Sequence, residues 1–162
     1  MVQIMKKRGF TLIEVLVAVM LLGLAIVSLL AANTAFTAAN GAGTNLSTAE
    51  FLVEQIKELT MPLAVIDPET GISTFGAEEA ALAEYDDLDD FDGKVFSPPI
   101  DGRRQPLSNF SAFSQHITVQ NVDPGNFEQV TVDHGSNFVR VTVTVSLNSQ
   151  QISRSSWIRA RY

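Results

Sequence analysis

The stretch KKRGFTLIEVLVAVMLLGLAIVSLLAAN, residues 6–33, decides how the rest of the chain is read. Three cations, Lys6, Lys7 and Arg8, meet Gly9, and an apolar run then extends from Phe10 to Ala32. Those 23 residues hold a single charge, Glu14. At about 1.5 Å per residue a helix of that length covers roughly 35 Å, enough to cross a hydrocarbon core of about 30 Å. The basic cluster is expected to stay on the cytoplasmic side, with the remainder of the chain exported.

Glu14 is the unusual part of that helix. An ionised acid inside a spanning segment costs on the order of 2.5–3.5 kcal/mol on insertion scales, so such residues usually have a partner. The next charged residue along the chain is Glu50, so no partner lies nearby in sequence. Cleavage after Gly9 would create one, a free amine on Phe10, four residues before Glu14. Between two staggered helices, the amine of one could then meet the carboxylate of the next. Each subunit would cancel its neighbour's charge.

Two plainer readings compete. A secretory signal peptide has an apolar region of about 7–15 residues and an A-x-A-like cut site, loosely supplied here by Ala31-Ala32-Asn33-Thr34-Ala35. The run is longer than that and carries an acid near its cytoplasmic end. A simple single-span anchor explains the length but not the order Gly-Phe-Thr-Leu-Ile-Glu.

Arg8-Gly9-Phe10-Thr11-Leu12-Ile13-Glu14, set behind a short basic leader, resembles the type IV prepilin signature shared by pilins and type II secretion pseudopilins. The resemblance covers about the first 35 residues. It implies a membrane prepilin peptidase that cuts between Gly9 and Phe10 and N-methylates the new Phe10 amine. It implies that Phe10 and Glu14 guide assembly, Glu14 being the fifth mature residue. The implied partners are the peptidase, other pilin subunits, an inner-membrane assembly platform and the lipid bilayer. The implied setting is a single-pass inner-membrane protein with a periplasmic C-terminal domain that later enters a filament.

At 162 residues the chain has room for one modest domain beyond the membrane helix. Residues 1–9 hold three of the 11 Lys+Arg and none of the 18 Asp+Glu, so the remainder carries 8 against 18, a side-chain net charge of −10. That balance argues against a nucleic-acid partner, which needs clustered basic residues. With no cysteine, an exported domain must be held by its core and its neighbours.

Along the chain, residues 1–9 read as the leader, 10–32 as the membrane half of a long helix and 33–60 as its amphipathic half. Ala49, Leu52, Val53, Ile56 and Leu59 share one face, which is expected to pack on the domain's own sheet. Gly41 and Gly43 weaken the helix by about 1 kcal/mol each against alanine, making 40–46 its weakest part. Ser47-Thr48-Ala49-Glu50 reads as a capping box, which offers an alternative helix start. Residues 61–113 are loop-rich, with turns at Asp67–Gly71 and Pro98–Gly102 and a short helix expected over Ala77–Tyr85.

From residue 114 to 162 the pattern is an antiparallel meander. Ile117 and Val119 mark one strand, Pro124-Gly125 a type II turn, and Val130 and Val132 a second strand. His134–Asn137 forms the next turn. Val139, Val141, Val143, Val145 and Leu147 alternate with polar residues in the clearest strand. A fourth strand runs through Ile152 to about Ala160, with Trp157 placed on the face opposite Ile152 and Ile158. The fold class is α+β and pilin-like, a long N-terminal helix packed on a C-terminal antiparallel sheet.

Asp86, Asp87, Asp89, Asp90 and Asp92 form the densest cluster of potential ligands. Asp90-Phe91-Asp92-Gly93 matches an EF-hand loop in part, but the preceding spacing is off. The favoured reading is a solvated acidic loop pinned by Tyr85, Leu88 and Phe91. The run also resembles a segment of the D-type minor pilins of mannose-sensitive haemagglutinin pili, where histidine stands before the glycine, so Asp92 is a departure. Arg154, Arg159 and Arg161 reverse the local charge; they face either these aspartates or an acidic neighbour.

No cofactor, metal or catalytic set is assigned. His116 and His134 lack a serine and an acid placed for nucleophilic catalysis, and two isolated histidines without cysteine are a poor zinc site. The expected function is therefore non-enzymatic, that of a minor pilin of a type IV pilus. A minor pseudopilin of a type II secretion system is the alternative, and a single-span periplasmic adhesin or binding module a further one.

Overall fold

A computed structural model describes residues 9–69, 71 and 74–161. Lys6, Lys7 and Arg8 of the basic leader, and Thr70 of the first turn, lie outside the described residues. The chain divides into two compact units, one ending at Gly43 and the other beginning at Thr44.

The first unit is helical. Helix α1 spans Leu12–Thr60 without interruption, so Gly41 and Gly43 do not break it and Ser47–Glu50 starts no second helix. Thr48 Oγ1 donates instead to the Thr44 carbonyl one turn back (3.0 Å). The side chains from Gly9 through Thr44 are all exposed. Three of their hydroxyls bond within the helix: Ser28 donates to Leu24 O (2.8 Å), Thr34 to Ala31 O (2.8 Å) and Thr37 to Asn33 O (3.0 Å). A hydroxyl bonded to its own helix is cheap to place in hydrocarbon. By length and composition α1 suffices to cross a membrane, with an 18-residue window of mean hydropathy 2.9.

The second unit contains the end of α1 and an antiparallel sheet. Its strands are β1 (Val95–Phe96), β2 (Phe113–Asp123), β3 (Asn126–Val130), β4 (Phe138–Leu147) and β5 (Gln150–Ala160). They run in the order β1-β2-β4-β5, with β3 also paired to β2. Ala49, Leu52, Val53, Ile56 and Leu59, the face read from the helical period, are the buried apolar residues of α1. They join Ile117 and Val119 of β2 and Val139, Val141, Val143 and Val145 of β4 in one core. Each valine, leucine or isoleucine among them contributes about 1.5–3 kcal/mol when fully buried. The fold is therefore the expected α+β arrangement of a long helix on an antiparallel sheet.

Several local expectations are corrected. No helix forms over Ala77–Tyr85. The carbonyls of Leu82, Ala83 and Tyr85 point instead at the Arg104 guanidinium, which takes all three. A distant cation outcompetes the local helical bonds there. Strand β3 ends at Val130, so Val132 lies beyond it and is exposed. Gly125 is not among the glycines with positive φ, which are Gly71, Gly76 and Gly93, so the Pro124-Gly125 turn is not type II. Asp123 Oδ1 organises it by accepting the N–H groups of Gly125 (2.8 Å) and Asn126 (3.0 Å).

Trp157 and Ile158 do take opposite faces, but the core face is that of Trp157. Val145 pairs with Ser153 but Ser146 pairs with Gln151, so β5 bulges at Ile152. Beyond the bulge, Trp157 lies opposite Val141 on the core side and packs against the core, half-buried. It marks no exposed contact surface.

Candidate functional site

The residues at the proposed cut lie ahead of α1. Gly9, Phe10 and Thr11 are outside the helix, and Phe10 is 81% exposed. A Cβ added at Gly9 would meet nothing within 4 Å among the described residues, so their packing does not require glycine there. Any demand for a small residue at that position belongs to a protein that reads the segment.

Thr11 starts the helix. Its Oγ1 accepts the N–H of Glu14 at 3.3 Å, and its carbonyl accepts the first helical bond from Val15 at 3.2 Å. Thr11-Leu12-Ile13-Glu14 thus has the T-x-x-E order of a capping box, with Glu14 as the third helical residue. An acid in the first turn also suits the positive end of the helix dipole. This local role for Glu14 was visible as a pattern in the sequence, although only its charge drew notice. Glu14 remains exposed, so capping by Thr11 does not remove its carboxylate from possible neighbours.

The aspartate run departs from the solvated loop expected of it. Tyr85, Leu88 and Phe91 do pack inward, but Asp87, Asp89 and Asp90 are buried too, at 1%, 3% and 1% exposure. Backbone amides hold them. Asp90 Oδ2 accepts from Asp86 N (2.9 Å) and Asp87 N (3.3 Å), Asp87 Oδ1 from Asp90 N (3.1 Å), and Asp89 Oδ2 from Gly76 N (3.2 Å). Asp92 reaches the sheet. Strand β1 pairs with Gln115 and His116 of β2; beyond it the Lys94 carbonyl takes the Ile117 amide at 3.0 Å, and Asp92 Oδ1 takes Val119 N at 2.7 Å. The run therefore covers an otherwise open strand edge, and Asp92 is part of that cover rather than of an EF-hand-like loop.

Burial and crowding raise these acids. Desolvation, then a hydrogen bond with Asp89, pushes Asp87 up to about 8. Desolvation likewise raises Asp89. Glu79 rises to about 7, chiefly through its hydrogen bond with Asp90. One acid in each touching pair holds a proton more tightly than an isolated carboxyl would.

The cationic end does something else. Arg159 donates to the carbonyls of Thr60 (2.8 Å) and Leu63 (3.1 Å), closing the C-terminus of α1. Among the described residues no ion pair joins Arg154, Arg159 or Arg161 to the aspartates. His134 Nε2 bonds the Thr74 carbonyl at 2.6 Å, and His116 stands exposed on β2. A cleft of about 590 Å³ between Pro62–Pro68 and Arg159–Arg161 has neither histidine among its described lining residues. Neither histidine bonds a serine or an acid among the described residues.

Residues 4–30 match the family model of the prokaryotic N-terminal methylation motif. No curated protein and no solved structure matches the chain. The motif implies processing by a prepilin peptidase and assembly with other pilin subunits, and with the apolar helix it fits a single-pass inner-membrane anchor. The methylation motif at residues 4–30, the apolar helix behind it and the helix-on-sheet domain together support a type IV pilin-like or pseudopilin-like protein of the prepilin type.

Proposed function

We propose that this chain is a minor pilin of a type IV pilus, a non-enzymatic subunit cut between Gly9 and Phe10 and N-methylated on Phe10. The leader, residues 1–9, is then removed. Residues 10–32 anchor the subunit in the inner membrane, 33–60 continue that helix into the domain, and 61–162 form the periplasmic part. On assembly the apolar helix leaves lipid for a bundle of like helices, aided by an assembly platform. The Phe10 amine of one subunit there offsets Glu14 of another. No nucleic acid takes part.

The observation that carries this reading is the exposure of every side chain from Gly9 to Thr44, with Glu14 the sole charge in that stretch. Such a surface needs lipid or like helices, and an acid in either needs a cation. A minor pseudopilin would share all of this N-terminal chemistry, and the acidic run alone supports the D-type subtype. The deciding experiment is the mass and N-terminal sequence of protein isolated from its own host. Material beginning at methylated Phe10 supports the reading; an intact Met1 sinks it.

A further inference from the structure

The segment Ala77–Ala80 carries Glu78 and Glu79, and the 3-10 turn Asp89–Phe91 carries Asp90. One carboxylate oxygen from each of these acids lies within 4.8 Å of the other two. Oxygens around calcium sit at about 2.3–2.6 Å from the ion, so those on opposite sides are about 4.6–5.2 Å apart. The three side chains thus fit within one coordination sphere.

Crowded acids alone would mean little, since exposed carboxylates often gather without a ligand. Asp90 is different. It is 1% exposed, and its Oδ2 is fixed by the amides of Asp86 and Asp87. Its second oxygen, Oδ1, is buried without a hydrogen-bond donor among the described residues, and so is Oε2 of Glu79. No lysine or arginine forms an ion pair with Asp90 or Glu79 among those residues. A buried, oriented carboxylate oxygen of this kind needs a proton donor or a cation, and the Glu79–Asp90 hydrogen bond supplies at most one shared proton.

A proton can bridge two carboxylates, but three converge. We propose that Glu78, Glu79 and Asp90 bind a calcium ion, which ties the Ala77–Ala80 segment to the Asp89–Phe91 turn. The donor set is oxygen only, with neither nitrogen nor sulfur, which selects a hard cation over zinc. Glu78 is exposed and Glu79 half-exposed, so water can complete the shell. Calcium tolerates such an irregular shell, whereas magnesium demands a near-ideal octahedron. The bound ion would brace the cover over the β2 edge, because Asp90 is bonded to the amides of Asp86 and Asp87, and the Leu88 N–H bonds the Ala64 carbonyl at 3.0 Å. This site does not depend on the pilin reading and stands or falls separately.

The test uses the full chain in detergent, stripped with a chelator and then freed of it. Calcium is titrated calorimetrically, and thermal melts are recorded with calcium, with magnesium and with potassium chloride of matched ionic strength. Saturable binding of one calcium per chain is expected. Calcium about 100-fold above Kd should raise Tm on the order of 5–10 °C. Glu79→Gln and Asp90→Asn keep the size of each side chain and remove its charge. Each should weaken calcium binding at least about tenfold. Should Asp90→Asn fail to fold, the half-exposed Glu79→Gln carries the test. Absence of calcium heat in the wild type, an equal Tm rise with magnesium or potassium, or unaltered binding by Glu79→Gln overturns the assignment.

Discussion

Thr11 accepts the amide N–H of Glu14 through its Oγ1 at 3.3 Å, so the residue after the exposed Phe10 is also the one that starts the helix. The acid proposed to offset an amine between subunits is therefore also a member of its own helix cap. These two roles separate by mutation. Thr11→Val keeps shape but deletes the acceptor, and should loosen the first turn by about 1 kcal/mol. Glu14→Gln keeps a hydrogen-bonding side chain but deletes the charge. If charge pairing drives assembly, Glu14→Gln should lose filament incorporation as fully as Glu14→Ala, by at least about tenfold, with insertion and cleavage intact. Incorporation is read by immunoblot of sheared filaments. Equal incorporation of Glu14→Gln and wild type would leave only the capping role.

A Cβ at Gly9 would meet nothing within 4 Å among the described residues. Gly9→Val should therefore leave the domain's melting temperature unchanged while blocking removal of the leader. Mobility of the protein on a gel with and without the peptidase checks both halves of this statement. A large loss of stability in Gly9→Val would show that the glycine serves the fold.

Arg159 bonds the carbonyls of Thr60 and Leu63 from the far end of β5. Carbonyls at a helix C-terminus have no intrahelical partner, and a cation there also complements the dipole. Replacing Arg159 with methionine keeps most of the stem and removes both bonds. The expected loss is about 1–3 kcal/mol, measured by urea unfolding. The same change at exposed Arg154 should fall within about 0.5 kcal/mol of wild type.

What the sequence revealed and what it hid follow from the range of the forces involved. The apolar spacing of Leu52, Val53, Ile56 and Leu59, and the valine alternation from Val139 to Val145, are local periodicities, and both define the observed core. Strand β1 is two residues long, too short to show any period. The Ala77–Tyr85 segment is held open by Arg104, some 20 residues onward, which no window over that segment contains. Composition assigned the aspartates to water, yet amides of Gly76, Asp86 and Asp87 hold them inside. Alternation placed Trp157 opposite Ile158 correctly but could not show that its face is the core one, because the bulge at Ile152 resets the core-facing phase of β5. The cap at Thr11 is legible as T-x-x-E, a four-residue pattern inside one turn.

Gly41 and Gly43 sit in the interior of α1 with open space around each. Alanine at either position would meet no obstacle and would restrict the unfolded chain. Each substitution should stabilise the helix by about 0.5–1 kcal/mol. Hydrogen exchange of the amides around residues 40–46 is the direct measurement, and slower exchange in Gly41→Ala is the expected result.

The buried aspartates predict how stability responds to pH once calcium is chelated. Asp87 is raised from 3.8 to about 8, first by desolvation and then by its hydrogen bond with Asp89. Its folded form therefore holds a proton that the unfolded form has released throughout that interval. More protons bound in the native state means that stability falls as pH rises. The contribution is complete below about 4, declines through the interval and is gone above about 8. Asp87→Asn keeps an oxygen acceptor for the Asp90 amide, which the Asp87 carboxylate bonds at 3.1 Å, and has no proton to lose. The difference in Tm between wild type and Asp87→Asn should thus widen steadily from acid to mildly alkaline pH, with the variant the more stable at the alkaline end. Parallel Tm curves across that interval would mean that Asp87 ionises inside the fold as readily as outside it.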